Sequence, residues 1–262
     1  MSAAATGKAP ARTSLAARQR AAMRRRERSL AACDPVMARL IAAAGPCTMH
    51  ARLERTPFES LASSIAHQQL NGAVAARILA RFVALYAPAA FPDPAALLAT
   101  DDAALRAAGF SFAKIRALRD LAEKTQNGVV PTSAELVALE DAHIIERLTQ
   151  VRGIGPWTVQ MMLMFQLGRP SVLPIDDFGV RNGFRLAYGL KGLPTPRALA
   201  EFGARWHPHS SMAAWYLWRA VDLSREGRLP RAPRAPRVAI QKQRAPAVKS
   251  RSRKPKSRLK SG

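Results

Sequence analysis

The residues best placed to do chemistry are the adjacent carboxylates in Leu173-Pro174-Ile175-Asp176-Asp177-Phe178-Gly179-Val180-Arg181-Asn182-Gly183. Pro174 restrains the approach, and the Asp pair opens a helix that the pattern carries through Arg181 and Leu186. One Asp suffices to cap such a helix by accepting a backbone N–H. The other is surplus to capping and is available for charge stabilisation or general-base work; the competing reading is that both merely decorate a helix start.

About twenty residues earlier stands Leu148-Thr149-Gln150-Val151-Arg152-Gly153-Ile154-Gly155-Pro156-Trp157-Thr158. A helix from about Asp141 to Gln150 is broken by Gly153 and Gly155, which can take positive φ without a Cβ penalty. Pro156 then occupies the first position of a new helix, where its missing N–H is not needed. The expected unit is helix, tight hairpin, helix, with Ile154 as its apolar anchor. Free amides and the positive dipole end at the second helix's start suit a phosphate. Most such turns bind nothing; compatible helices on both sides and a basic chain favour phosphate contact here.

The elements that must hold these two motifs read as helical. Thr56-Pro57-Phe58-Glu59 and Thr132-Ser133-Ala134-Glu135 are capping-box patterns, the first with proline at the opening helical position. Leu61, Ile65, Ala66 and Gln69 trace one helical face, and Val74 to Tyr86 continues as an amphipathic helix. Asp101 and Ser111 open two more helices, the first ending near Gly109; Thr195-Pro196 opens another, and Ser211 to Glu226 forms a last long one. Alternating β patterns are missing, and the prolines around 170–175 favour an extended connector. The predicted fold is all-α, about ten short helices in number.

The 262 residues carry 41 Lys+Arg against 18 Asp+Glu, a formal charge of +23. Residues 1–28 hold eight basic residues and one acid, and 231–262 hold twelve and none, leaving 29–230 close to neutral at +4. The ends are therefore expected as a basic disordered arm (1–28) and a basic, Pro-rich disordered tail (231–262) around a helical core (29–230). Polyanion binding is the natural reading of such ends, with plain solubility the bland alternative. No stretch reaches the ~18 apolar residues of a membrane span, so no membrane partner is expected. Cys33 and Cys47 are the only cysteines, which excludes a disulfide framework and a four-thiolate cluster. His67, His143, His207 and His209 lack metal-ligand spacing and read as loop or surface groups, so no metal site is expected.

With these motifs in order, the sequence resembles the helix-hairpin-helix DNA glycosylase superfamily, nearest to the compact form of its alkylation-repair branch, the 3-methyladenine DNA glycosylase II type. The hairpin Gly153-Ile154-Gly155, the helix after it and Pro174-x-Asp176-Asp177 carry the resemblance. Ile65 to Leu70, Gly109-x-Ser111-x-x-Lys114 and Trp206 to Trp218 extend it over about 55–225. It implies two helical subdomains with a cleft between them, about 57–168 with hairpin 148–158, and 29–56 plus 169–230. By the same resemblance Asp177 is the catalytic carboxylate and Asp176 the capping one. A carboxylate stabilises an oxocarbenium-like sugar and can orient the attacking water, and an alkylated purine is a cationic leaving group that needs no metal.

Relatives that also cleave the strand carry a lysine at position 157, where this chain has Trp157; a Schiff base is therefore not expected there, only base removal. Trp157, Trp218 and Met161 are expected to wall the pocket for a flipped base, an indole face favouring a cationic base by ~0.5–2 kcal/mol. Trp206 and Trp215 read as core. Gln69 matches the residue that fills the gap left in the duplex, with Gln68 the neighbouring alternative, and Asn71 would face the minor groove. Arg152, Gly153, Ile154 and Gly155 would meet the phosphates, as would Lys114 unless its role is structural. The implied function is monofunctional hydrolysis of the N-glycosidic bond of alkylated purines, 3-methyladenine and 7-methylguanine, in double-stranded DNA. A non-catalytic DNA-binding module and a glycosylase for deaminated or etheno bases are the competing readings. No cofactor is expected, although the resemblance allows a sodium or potassium ion at the hairpin carbonyls. The expectation is a monomer; heavy use of Ala and Arg suggests a GC-rich bacterial source, hence cytoplasm and nucleoid.

Overall fold

The computed structural model describes residues 15–232, and all their regular structure is helical. In chain order the helices are α1 (Leu15–Cys33), α2 (Pro35–Ala44), α3 (Pro57–His67), α4 (Gly72–Ala84), α5 (Pro94–Ala99), α6 (Asp102–Ala108) and α7 (Phe112–Gln126). They continue as α8 (Ser133–Ala138), α9 (Asp141–Leu148), α10 (Pro156–Phe165), α11 (Phe178–Ala187), α12 (Pro196–Gly203) and α13 (Ser210–Arg225), with a 3₁₀ turn at Ala204–Trp206. No described helix is long and apolar enough to cross a membrane.

Local capping explains most of these boundaries. Thr56, Ser111, Thr132 and Thr195 each accept a backbone N–H three residues on, satisfying a donor the helix itself cannot. The box is reciprocal only at Thr132, where the Glu135 carboxylate accepts from the Thr132 N–H at 2.7 Å. At Thr56 the Glu59 carboxylate faces Arg55 instead, 3.9 Å away.

Two groups of helices pack around the site. In the first, α3 lies on α4, α7 and α10, with α5, α6 and α9 closing around α7, α4 and α10. Leu61, Ile65, Phe82, Phe110, Leu118, Leu121 and Leu148 are fully buried there, each contributing ~1.5–3 kcal/mol over the exposed state. In the second, α13 is clasped by α11 and α2, and α1 lies along α2. Gly183 makes the α11–α13 crossing possible: a Cβ there would sit 1.9 Å from the Leu217 carbonyl oxygen. At the centre of this group the buried Asp34 caps α2 and accepts from the Trp206 indole at 2.9 Å and from the Tyr188 hydroxyl. Burial and the Asp34 charge push the Tyr188 phenol far up. Trp206 is thus core, while Trp215 is half-buried and edge-on to Tyr216.

The expected disordered arm requires correction. Residues 15–28 belong to α1, because Ala and Arg are strong helix formers and the arm's lone acid is an anchor. Glu27, buried, accepts from the Cys47 N–H at 2.7 Å and from the Tyr216 hydroxyl at 3.0 Å. Leu30, one turn on, is fully buried. Charge counting treated this segment as uniformly polar and missed the acid's inward role. The rest of the arm, 1–14, and the tail from 233 onward lie outside the described residues.

Candidate active site

Asp177 stands at the junction of the two helix groups. It is the N-cap of α11, with Oδ1 accepting from the Val180 N–H at 2.7 Å. The same oxygen accepts from the Trp218 indole N–H of α13 at 2.9 Å, and Oδ2 accepts from the Trp157 indole N–H of α10 at 2.7 Å. The division of labour between the two acids is therefore not the expected one. Asp177 itself caps the helix, because its position directly before Phe178 puts its carboxylate over the first-turn amides, and Asp176 is exposed. Capping thus falls on the residue expected to do the chemistry.

The surroundings hold that carboxylate in place. Trp218 lies against Phe165 with ring centroids 5.9 Å apart and planes 27° from parallel. Its other edge runs along Gly179, where a Cβ would lie 2.8 Å from the indole Cδ1, so only glycine admits the ring. Trp157 is 48% exposed, which leaves it free to meet a ligand from solvent.

Between α3 and α10 opens a cavity of about 250 Å³. Met161, one turn after Trp157, and Phe165 form its apolar wall, and Ser60, Ser64 and His67 face them from α3. Of the expected pocket residues, Met161 lines this cavity; Trp157 and Trp218 do not line it and bond Asp177 instead, Trp218 lying against the Phe165 ring. His67, the last residue of α3, is exposed, as expected of a surface group, and borders the cavity.

The hairpin follows its expected course with one change. Gly153 takes φ +77°, but Gly155 is extended at φ −99°, ψ 171° and is the N-cap of α10, which has no side-chain cap. The first amides of α10 are accordingly left for an outside acceptor. Ile154 is buried as the hairpin's anchor. Asp120 of α7 fastens the loop by accepting from the Arg152 N–H at 2.6 Å, and Lys124 reaches both Asp120 and the Gln150 carbonyl. Burial pushes the Asp120 carboxyl up, but the Arg152 amide and Lys124 outweigh it and hold it below the usual range.

A second recess, about 260 Å³, is lined by Gln68, Gln69, Lys114, Arg116, Arg152 and Gly153 among others. Gln68 is committed to the protein, its amide donating to the Gly153 carbonyl at 2.8 Å. Gln69 is exposed and holds φ +57°, a left-handed conformation unusual for glutamine, which pushes its side chain outward from the α3–α4 turn. Two residues expected to face DNA have structural partners. The Asn71 side-chain oxygen caps α4 by accepting from Val74 N–H at 2.9 Å, and the Lys114 ammonium donates to the Ala66 carbonyl at 2.8 Å. Burial lowers the Lys114 pKa. The hairpin carbonyls that a monovalent cation would use are partly engaged, those of Gln150, Val151 and Gly153 accepting from Lys124, Ile154 and Gln68. Among the described residues no cluster of His, Cys, Asp and Glu has a metal-binding arrangement.

The helix-hairpin-helix and the carboxylate beside it lie within a stretch that matches a known DNA repair family. Residues 62–209 match the family described as HhH-GPD superfamily base excision DNA repair protein, and the chain belongs to that superfamily. It is 39% identical over 171 residues to DNA-3-methyladenine glycosylase 1 of Schizosaccharomyces pombe, covering 65% of this chain and 75% of that protein. The solved structure of the S. pombe 3-methyladenine DNA glycosylase in complex with abasic DNA superposes with a TM-score of 0.69 at 36% identity, over 76% of this chain and 98% of that one. The DNA-3-methyladenine glycosidase of Bacillus halodurans does so equally, at 0.69 and 34%, over 77% and 91%.

Proposed function

We propose that this protein is a monofunctional DNA glycosylase that removes alkylated purines, 3-methyladenine and 7-methylguanine, from double-stranded DNA as the first step of base excision repair. The observation that carries the reading is the Asp177 carboxylate, gripped by Trp157 and Trp218 where the two helix groups meet. The names of the relatives, and the abasic DNA held by one of them, support the substrate class.

The hairpin amides and the Arg152 side chain would hold the strand's phosphates, and Gln69 would enter the duplex where the damaged nucleotide leaves it. The base turns out past Trp157 toward Met161 and Phe165. As the base–sugar bond lengthens, positive charge grows on the sugar and the Asp177 carboxylate stabilises it, while its free lone pairs orient the attacking water. The bond electrons leave with the purine, whose alkylation has already made it cationic. Trp157 offers no amine for a Schiff base, so the product is an intact abasic strand. A dimethyl-sulfate-treated duplex incubated with the protein should yield free methylpurines by mass spectrometry, with strand breaks only after alkali. Immediate nicking with a borohydride-trapped adduct would overturn the monofunctional claim, and no released base would overturn the enzyme.

A further inference from the structure

Helix α1 carries its anchors and its charges on opposite sides. Six arginines fall between positions 18 and 28, and Glu27 is the single acid of the helix. Glu27 and Leu30 are buried and Met23 packs against the core, a row at i, i+4 and i+7 that faces the body of the protein. Arg18, Arg25 and Arg28, all exposed, recur at i, i+7 and i+10 on the face turned away from it, with exposed Ala21 between them. None of the three has a hydrogen bond or ion pair with another described residue. Residues 1–14 and 233–262 contain no Asp or Glu that could supply one. Like charges one turn apart, as at Arg24 and Arg28, oppose helix formation. Exposure alone would be met as well by Gln or Glu, and Glu would remove the repulsion, so this composition favours an opposing polyanion over water.

We infer that this face of α1 is a second binding surface for the phosphate backbone of double-stranded DNA, separate from the hairpin. Membership of the repair superfamily, rather than the excision chemistry, makes duplex DNA the polyanion this chain meets. The family match covers 62–209, so α1 lies outside it and the surface is an addition to the shared fold. Met23 of α1 and Met164 of α10 line one recess of about 590 Å³. That places α1 by the end of α10, about 12 Å along that helix from its first amides at the hairpin. Over the ~15 Å from Arg18 to Arg28 a duplex lying alongside presents about nine phosphates. Each phosphate neutralised releases counterions and adds affinity that is independent of sequence and falls as salt rises. The hairpin would position the strand, and α1 would hold the protein on the duplex.

The test compares full-length wild type with the triple variant Arg18→Gln/Arg25→Gln/Arg28→Gln, its three single components, and the charge-keeping triple Arg18→Lys/Arg25→Lys/Arg28→Lys. Gln and Lys are good helix formers, and thermal unfolding checks that the fold is kept. Binding to an undamaged duplex of about three helical turns is followed by fluorescence anisotropy between about 0.05 and 0.2 M salt. The Gln triple should flatten the slope of log affinity against log salt by about two to three, and each single by about one. Its affinity should fall roughly ten- to five-hundredfold at about 0.1 M salt, the upper limit being three contacts each worth about a factor of eight per decade of salt. The Lys triple should keep the wild-type slope, and base release at saturating enzyme should stay within about twofold of wild type in all variants. An unchanged slope in the Gln variants, or a Lys triple as weak as the Gln triple, overturns the surface. A loss seen on phosphatidylserine vesicles with duplex binding intact also overturns it. Release of no methylpurine by the wild type overturns the proposed function alone and leaves this surface standing.

Discussion

Replacing Asp177 by Asn separates chemistry from architecture, because the geometry around the carboxylate says what each substitution removes. Oδ1 accepts from Val180 and Trp218, and an amide oxygen can keep both bonds. The amide nitrogen then faces the Trp157 indole N–H, so two donors meet where one bond of 2.7 Å stood. Trp157 is half exposed and can turn its N–H to water, which limits the cost to about 1 kcal/mol, or roughly 2–4 °C in Tm for a chain of this size. Excision loses more. Removing the charge that opposes the growing positive sugar should slow single-turnover base release by about a hundred- to a thousandfold, equivalent to ~2.7–4 kcal/mol of barrier. Asp177→Ala should be as inactive but less stable by ~1–3 kcal/mol more, since the Val180 amide and the Trp218 indole lose their acceptor. Base release is followed by mass spectrometry, stability by thermal unfolding, and retained binding by fluorescence anisotropy with abasic DNA. Excision by Asp177→Asn within about threefold of wild type, or a loss of excision matched by an equal loss of binding, would refute the assignment.

Other outcomes follow from single contacts. Gly183→Ala forces α11 from α13, since its Cβ would lie 1.9 Å from the Leu217 carbonyl oxygen; a loss of about 3 kcal/mol or more, roughly 6–12 °C in Tm, is expected by calorimetry. Asp120→Asn should destabilise by about 1–2 kcal/mol at neutral pH. Because the folded carboxyl is held below its ordinary value, this contribution is present above that value and lost as pH falls through the folded one. The Tm gap between wild type and Asp120→Asn should therefore close in acid, and a gap that widens there would contradict the hairpin tie. Truncation after Ala232 removes eleven of the basic residues and should weaken DNA binding and flatten its salt dependence while sparing excision; titrations at low and moderate salt read both.

What the chain discloses without coordinates is what short-range chemistry encodes. Caps at Thr132, Ser111 and Thr195, proline at Pro156 and left-handed glycine at Gly109 and Gly153 are local rules, and the helices they bound appear where those rules put them. The misread features depend on partners distant in sequence. Glu27 turns α1 inward through Cys47 and Tyr216, 20 and 189 residues on, against a composition that argued for a solvated arm. Lys114 serves the end of α3 through Ala66. Asp176 and Asp177 could not be told apart by type, only by which carboxylate overlies the Val180 amide.

The three bonds on Asp177 also explain why the site needs both helix groups. Val180 belongs to the helix the carboxylate caps, Trp218 comes from α13 of the same group, and Trp157 comes from α10 of the other. The two oxygens thus sit where separately packed bodies meet, and their position is fixed only while α11 lies close on α13 and α10 lies on α3. The bond to Trp157 is the exposed one and the bond to Trp218 is the sheltered one, wedged between Phe165 and Gly179. A ligand entering from solvent can therefore displace the Trp157 contact without disturbing the cap, the Trp218 contact or the direction in which the carboxylate points. On the proposed reading, an acid that faces a short-lived positive sugar would require that combination: one side open to the substrate, the other held rigid by groups that never leave it.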